Sequence, residues 1–233
     1  MNSSRLPGKV LQDIAGRSML ARVVRRVRRA TRIDRVVVAT TCATKDDAII
    51  DECGRLGVAW FRASAADVLS RYYYAARAFR AKTIVRITSD CPLIDPDLID
   101  RVVGEFQAVR PDYASNCLQR TWPRGMDTEI MSSAALARAW READLPYERT
   151  HVTPYIYMPP RRFRLHSVHG PEDYSGLRLT VDTPGDLALI RAIHARLNRD
   201  DDFTWRDAVK LLAAEPWLRE LNKHARQKDL VEG

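Results

Sequence analysis

Apolar and polar positions repeat with two periods along this chain. Met19, Val23, Val27 and Ala30 fall on one helical face, with Leu20 and Val24 beside it, and Ser18 stands at a capping position. A helix is predicted there, running to about Thr31. Residues 35–39, RVVVA, form a β-branched run of the kind buried on both faces of a sheet, and Thr40 and Thr41 end it. Thr44 with Asp47 at capping-box spacing opens a helix to about Cys53, which Gly54 and Gly57 close. Residues 58–61 read as a second strand. Ser64 with Asp67 precedes a helix carrying Val68, Leu69, Tyr72, Ala75, Ala76 and Phe79, and residues 83–88 read as a third strand. Asp95-Pro96 starts the next helix, with the acid as cap and proline at the first helical position. Strand and helix alternate, so an α/β fold with a mainly parallel sheet is expected.

The pattern loosens after Pro111. Residues 112–116 and 127–131 read as strands around a polar loop, and 134–143 as a helix. Residues 148–158 read as helical despite Pro154. Pro159-Pro160 interrupts the chain before strand-like runs at 163–168 and 177–181. Thr183-Pro184-Gly185-Asp186 is a helix start. Helices at about 204–213 and 216–227 follow. No internal repeat or low-complexity linker divides the chain. One domain over residues 1–233 is expected, with a lobe at about 112–170 and C-terminal helices from about 200.

Composition narrows the class. Of 233 residues, 45% are hydrophobic and 29% charged, which suits a globular chain with one good core. No apolar run is long enough to cross a membrane and no h-region opens the chain, so a cytoplasmic protein with no membrane partner is expected. Cys42, Cys53, Cys91 and Cys117 are scattered, which fits reduced thiols. The net charge is +8, which raises nucleic acid as a partner. Its largest cluster, Arg22, Arg25, Arg26, Arg28, Arg29 and Arg32, lies mostly opposite the apolar face of the first helix and lacks interleaved aromatics. It reads as a solvated helix face, and no nucleic-acid partner is expected.

The chemistry-bearing residues lie at the start of the chain and at strand ends. Residues 3–11, SSRLPGKVL, offer hydroxyls from Ser3 and Ser4, a fork of donors from Arg5, a mobile charge from Lys9 and close backbone approach at Gly8. They read as a phosphate cradle; the plain alternative is a surface turn with two solvated cations. Asp90 and Asp182 each follow a predicted strand, where ligands of open α/β sheets gather. Two carboxylates there suit Mg²⁺, whose remaining positions phosphate and water fill. The alternative makes Asp182 a turn residue and Asp90 a cap. The middle lobe adds Arg124, Asp127, Glu129, Arg149 and His151, of which the arginines suit an anionic second substrate, while His151 alone also reads as a structural histidine.

Together these segments resemble a known family. SSRLPGKVL, Val37-Val38-Ala39-Thr40-Thr41, Phe61-Arg62-Ala63-Ser64 with Asp67-Val68-Leu69, the run 86–95 (RITSDCPLID), Pro123-Arg124-Gly125, His151-Val-Thr-Pro-Tyr155 and Thr180-Val-Asp182-Thr-Pro recur in order. The chain resembles cytidylyltransferases of the SpsF type and, more distantly, those that activate 3-deoxy-manno-octulosonate and acylneuraminate. The resemblance implies a nucleotide-diphospho-sugar transferase (GT-A-like) fold, CTP as donor, Mg²⁺ as cofactor, an acidic sugar or similar acceptor, and a homodimer built through the middle lobe. By position, it implies that Ser3, Ser4, Arg5 and Lys9 hold the triphosphate, and that Ala39, Thr40, Thr41, Ser64 and Asp67 line base and ribose. Asp90 and Asp182 would bind the metal; Arg124, Glu129, Arg149 and His151 would face the acceptor. Arg5, Lys9, Asp90 and Asp182 are the expected catalytic set. Three departures stand out: Met1-Asn2 where the family has an internal Met-Gly after a strand, Ala63 where Gly is common, and Thr150 where Glu is common. The resemblance thus leaves the fold short of its first, central strand, and the natural coding sequence is expected to continue upstream into one. A glycosyltransferase on the same fold and a non-catalytic nucleotide-binding protein remain as alternatives.

Overall fold

The computed structural model describes residues 5–158, 162–197 and 201–227. A short 3₁₀ turn at Lys9–Leu11 leads into a hairpin of β1 (Asp13–Ile14) and β2 (Arg17–Ser18), then α1 (Met19–Val27). There follow β3 (Val37–Thr41), α2 (Asp47–Arg55), β4 (Ala59–Ala63), α3 (Val68–Ala78), β5 (Thr83–Arg86) and α4 (Pro96–Val109). The second half holds β6 (Tyr113–Ser115), β7 (Glu129–Ser132), α5 (Ser133–Glu142), α6 (Pro146–His151), α7 (Pro154–Tyr157), β8 (Leu165–Ser167), α8 (Pro184–Leu197) and α9 (Trp205–Ala214), then a 3₁₀ helix at Pro216–Asn222. The α/β architecture and the caps follow the sequence. Ser18 accepts from the Ala21 N–H, Asp67 from Ser70, and Asp95 from Asp97 and Leu98.

The strands form a mixed arrangement where a mainly parallel sheet was expected. β3 and β4 pair in parallel, Val37 opposite Ala59 through Thr41 opposite Ala63. The larger sheet has the order β5-β7-β6-β8, with β7 antiparallel to both neighbours and β6 parallel to β8. The reason is local. No helix separates β6 from β7, so the chain returns beside itself and the pair is antiparallel. The expected strand at 177–181 is a correction: among the described residues that segment joins no ladder and makes an isolated bridge between Arg124 and Arg178, with backbone bonds from Arg124 to Leu177, from Leu179 back to Arg124 and from Val181 to Asp90. Its apolar residues are explained by burial, since Leu179 and Val181 are buried in the core around α4 and α8. The 148–158 helix is broken into α6 and α7 at Val152, which takes a positive φ of 75°.

The basic face of α1 also differs from expectation. Arg22 and Arg26 are buried rather than solvated, Arg26 completely. Arg26 donates to the carbonyls of Ile94, Asp201 and Phe203, and Arg22 to Ile14 and Ala15 and to Asp201. A guanidinium carries five donors in a fixed fork, so it can bridge several loop carbonyls that would otherwise lack donors. These arginines act as bolts between α1 and the segments before α4 and α9.

β3 pairs only with β4 and β5 only with β7 among the described residues, so each keeps one free edge. Both edges border a cavity of about 890 Å³ whose lining includes Val24 of α1, Val37 and Val38 of β3, Tyr72 of α3 and Val85 of β5. This cavity separates the β3-β4 pair from the β5-β7-β6-β8 sheet. The expected consequence is unequal protection. In hydrogen exchange, amides of β7, laddered on both sides, exchange more slowly than those of β3 and β5. Equal protection of β3 and β7 would show that the cavity edge is covered in solution.

Candidate active site

The site is built where the N-terminal turn meets the ends of the strand segments. Gly8, at φ 68°, turns the chain so that Lys9 opens the first 3₁₀ turn. From there the Lys9 ammonium reaches three oxygens: Asp90 Oδ2 at 2.9 Å, Asp182 Oδ1 at 2.8 Å and the Val181 carbonyl at 2.8 Å. Asp90 lies in the turn after β5. The Val181 N–H and the Thr180 hydroxyl both donate to its carbonyl, at 2.9 and 3.0 Å, which fixes the two carboxylates relative to each other. Gly125 supports the same segment from behind. Its φ is +103°, and a Cβ there would lie 2.5 Å from the Leu179 carbonyl, so no other residue fits.

The second oxygen of Asp182 faces the other way. Arg5 Nη2 lies 3.2 Å from Oδ2, and Arg178 Nη2 donates to it at 2.7 Å. Arg178 also grips the fully buried Asp186 at the start of α8, at 2.9 and 3.1 Å. Asn222 donates to Asp186 and to the Arg178 carbonyl, and Arg5 donates to the carbonyl of Arg226. The C-terminal segment can come this close because α8 carries Gly185, where a Cβ would meet the Leu221 carbonyl at 2.3 Å. Sequence reasoning missed Arg178 and Asn222. The only signal was spacing: Arg178, Asp182 and Asp186 recur every four residues, a helical spacing in a stretch that is not helical up to Pro184.

The other expected site residues fall into separate groups. Ser3 and Ser4 lie outside the described residues. Ala39, Thr40 and Thr41 line the cavity at the end of β3, and both threonine hydroxyls donate to Asp46. Ser64 is exposed and accepts from the Asp67 N–H, while Asp67 forms an ion pair with Arg149. Arg149 also donates to the Trp140 carbonyl, so a residue expected at the base and one expected at the acceptor tie α3 to the α5–α6 turn together. Glu129 is 7% exposed and accepts from Arg86, Tyr113 and Thr153. That makes it the centre of a buried network between β5, β6 and α7. Arg124 is half-buried at the bridge beside Arg178, and His151 ends α6.

The donor set around Lys9 is one that a hard divalent cation takes. Two carboxylate oxygens and a carbonyl already converge on one positive charge. Among the described residues no group of three or more His, Cys, Asp or Glu side chains could enclose a metal by itself. Such a centre would need further oxygens from a ligand.

Comparison with known proteins decides the family. The family model described as Cytidylyltransferase matches residues 1–204. The chain belongs to the cytidylyltransferase family. It is 30% identical to the spore coat polysaccharide biosynthesis protein SpsF of Bacillus subtilis over 93% of this chain and 92% of that protein. It is 31% identical to a 3-deoxy-manno-octulosonate cytidylyltransferase of Anaeromyxobacter dehalogenans, over 83% of this chain and 93% of the relative. The solved structure of a cytidylyltransferase from Leptospira borgpetersenii superposes with a TM-score of 0.91 at 32% identity, covering 98% of this chain and 95% of that one. The family match ends before α9, so Asn222 and the C-terminal contacts to Arg5 and Arg178 lie beyond it.

Charge pairing sets the titration of the site. For Asp182 and Asp186 burial opposes the charged form, but bonds from Lys9 and Arg178 outweigh it and hold both carboxyls below the usual range. For Lys9 burial likewise opposes the charge, and Asp90 and Asp182 outweigh it and raise its pKa. A depressed carboxylate adds stability that is complete above about pH 5 and is lost progressively below about pH 4. The melting temperature of wild type should therefore fall from pH 5 to pH 3 more than that of Asp182→Asn. Equal slopes would remove this pairing from the stability of the fold.

Proposed function

We propose that this cytidylyltransferase moves CMP from CTP to an acidic sugar or related acceptor and releases pyrophosphate. The observation that carries the reading is the convergence of Asp90 Oδ2, Asp182 Oδ1 and the Val181 carbonyl on one cationic centre beside Arg5. The kinship with SpsF and with a 3-deoxy-manno-octulosonate cytidylyltransferase supports CTP as donor and a sugar-pathway acceptor. Mg²⁺ would be held by Asp90 and Asp182. When bound there it supplies Lewis-acid charge to the phosphate oxygens.

The acceptor oxygen attacks the α-phosphorus in line, and pyrophosphate leaves. The chain's own part is positioning and charge neutralisation. Arg5 and Lys9, with Ser3 and Ser4, hold the triphosphate, and their positive charge offsets the charge that moves towards the leaving group. Ala39, Thr40 and Thr41, with Ser64 and Asp67, line the base and ribose. Arg124 extends the cationic surface towards the acceptor. Glu129, Arg149 and His151 belong to the acceptor side in this reading, with Glu129 paired to Arg86 and Arg149 to Asp67.

A pyrophosphate-release screen with Mg²⁺, four nucleoside triphosphates and a panel of acidic sugars tests the reading. Release with CTP and at least one acidic sugar is expected, and Arg5→Ala should lower kcat/KM by about 10²–10³-fold, the scale of one preorganised donor. Nucleoside diphosphate or monophosphate release from a nucleotide sugar, with silence in the screen, would point to glycosyl transfer instead. The same proposal includes a cytoplasmic homodimer formed through residues 112–170. Light scattering should give twice the 26.6 kDa chain mass, and a monomer at micromolar concentration would remove that part.

A further inference from the structure

Lys9 does more in this structure than wait for a phosphate. An ammonium has three donors, and all three are used, on Asp90, Asp182 and the Val181 carbonyl. The side chain is only 13% exposed. The nitrogen therefore sits at the point where the three oxygens meet, at 2.8–2.9 Å, while a small divalent ion needs oxygens at about 2.0–2.1 Å. Both cations cannot occupy that point. Asp182 divides its oxygens accordingly. Oδ2 is kept by Arg5 and Arg178, and Oδ1, the one that shares a cation with Asp90, is covered among the described residues by Lys9.

Charge balance points the same way. Asp90, Asp182 and Asp186 face Arg5, Lys9 and Arg178, three charges against three. A bare divalent ion entering this cluster would expel a partly buried ammonium from the three oxygens that are its described acceptors. That costs the ammonium its charge-assisted bonds. A triphosphate supplies both acceptor oxygens and negative charge. The four-carbon stem of Lys9 lets the ammonium move to it without moving the backbone.

We propose that Lys9 is the resident cation of the two-carboxylate site and makes loading ordered: the metal enters with or after the nucleotide, not before it. The proposal rests on the reading of Asp90 and Asp182 as a divalent-cation site. It also gives Lys9 a role in the nucleotide-free protein that is separate from holding phosphate.

Mn²⁺ binding to nucleotide-free protein, followed by electron paramagnetic resonance and calorimetry, tests this without turnover. Lys9→Met should bind Mn²⁺ about ten- to a hundredfold more tightly than wild type, the scale of the charge-assisted bonds removed. Lys9→Arg, which keeps a cation, should remain as weak as wild type. Lys9→Gln serves if thermal melts show Lys9→Met unfolded. Neutral variants that bind Mn²⁺ no more tightly than wild type would overturn the proposal. The gain should vanish when Asp90→Asn is added to the neutral variant, and a gain that survives would overturn it by placing the ion elsewhere. Failure of the underlying reading looks different: Mn²⁺ would then bind the complex with a non-hydrolysable CTP analogue equally well in wild type and in Asp182→Asn.

Discussion

The structure depends on the fixation of one carboxylate, Asp182. It receives Lys9 from the N-terminal turn, Arg5 from the same turn and Arg178 from the strand-like segment before it. Through Arg178 it is joined to Asp186 and so to the start of α8, and through Asn222 to the C-terminal 3₁₀ helix. Through Val181 and Thr180 it is joined to Asp90 after β5. Four stretches far apart in sequence thus meet at one side chain. Half-buried ion pairs stabilise little by themselves, because desolvation offsets Coulomb attraction. This cluster holds because its charges are hydrogen-bonded on several sides in a partly dry setting.

A second buried pair does the corresponding work deeper in the fold. Arg86 of β5 and Glu129 of β7 face each other across an antiparallel register, and Tyr113 and Thr153 add hydroxyls to the carboxylate. β5 borders the cavity on its other side, so this network anchors the strand from the one edge that is laddered. The turn carrying Asp90 follows that strand directly. The placement of Asp90 therefore rests partly on a pair that never touches it. This explains why Glu129 sits so near the chemistry in sequence pattern yet is closed off from the surface.

Much of this was legible in the sequence because it is local. Caps such as Ser18, Asp67 and Asp95 act within four residues, and β-branched runs such as 35–39 have a distinctive composition. Asp90 and Asp182 stood out in the sequence as acids just past apolar runs, and the fold brings both onto Lys9. What stayed hidden is non-local. Arg22 and Arg26 lie on the polar side of a helical wheel, and no periodicity shows that Asp201 and loop carbonyls arrive from far along the chain to bury them. The segment 177–181 looks like a strand because burial alone, without a ladder, selects the same apolar residues.

The hidden part matters most for charge. Read singly, Arg5 and Lys9 are free cations awaiting phosphate, and Asp90 and Asp182 are free carboxylates awaiting metal. Folded together without ligand, they neutralise one another. With Arg178 and Asp186 these residues form one set of ion pairs, and any ligand taken there must exchange those pairs for others of equal or greater strength. A ligand that supplies both signs of charge can replace these pairs, and one that supplies a single sign cannot. A site of this kind discriminates by charge complement first. The residues that set that complement, Arg178 and Asp186 among them, are invisible to a reading that asks only which side chains touch substrate.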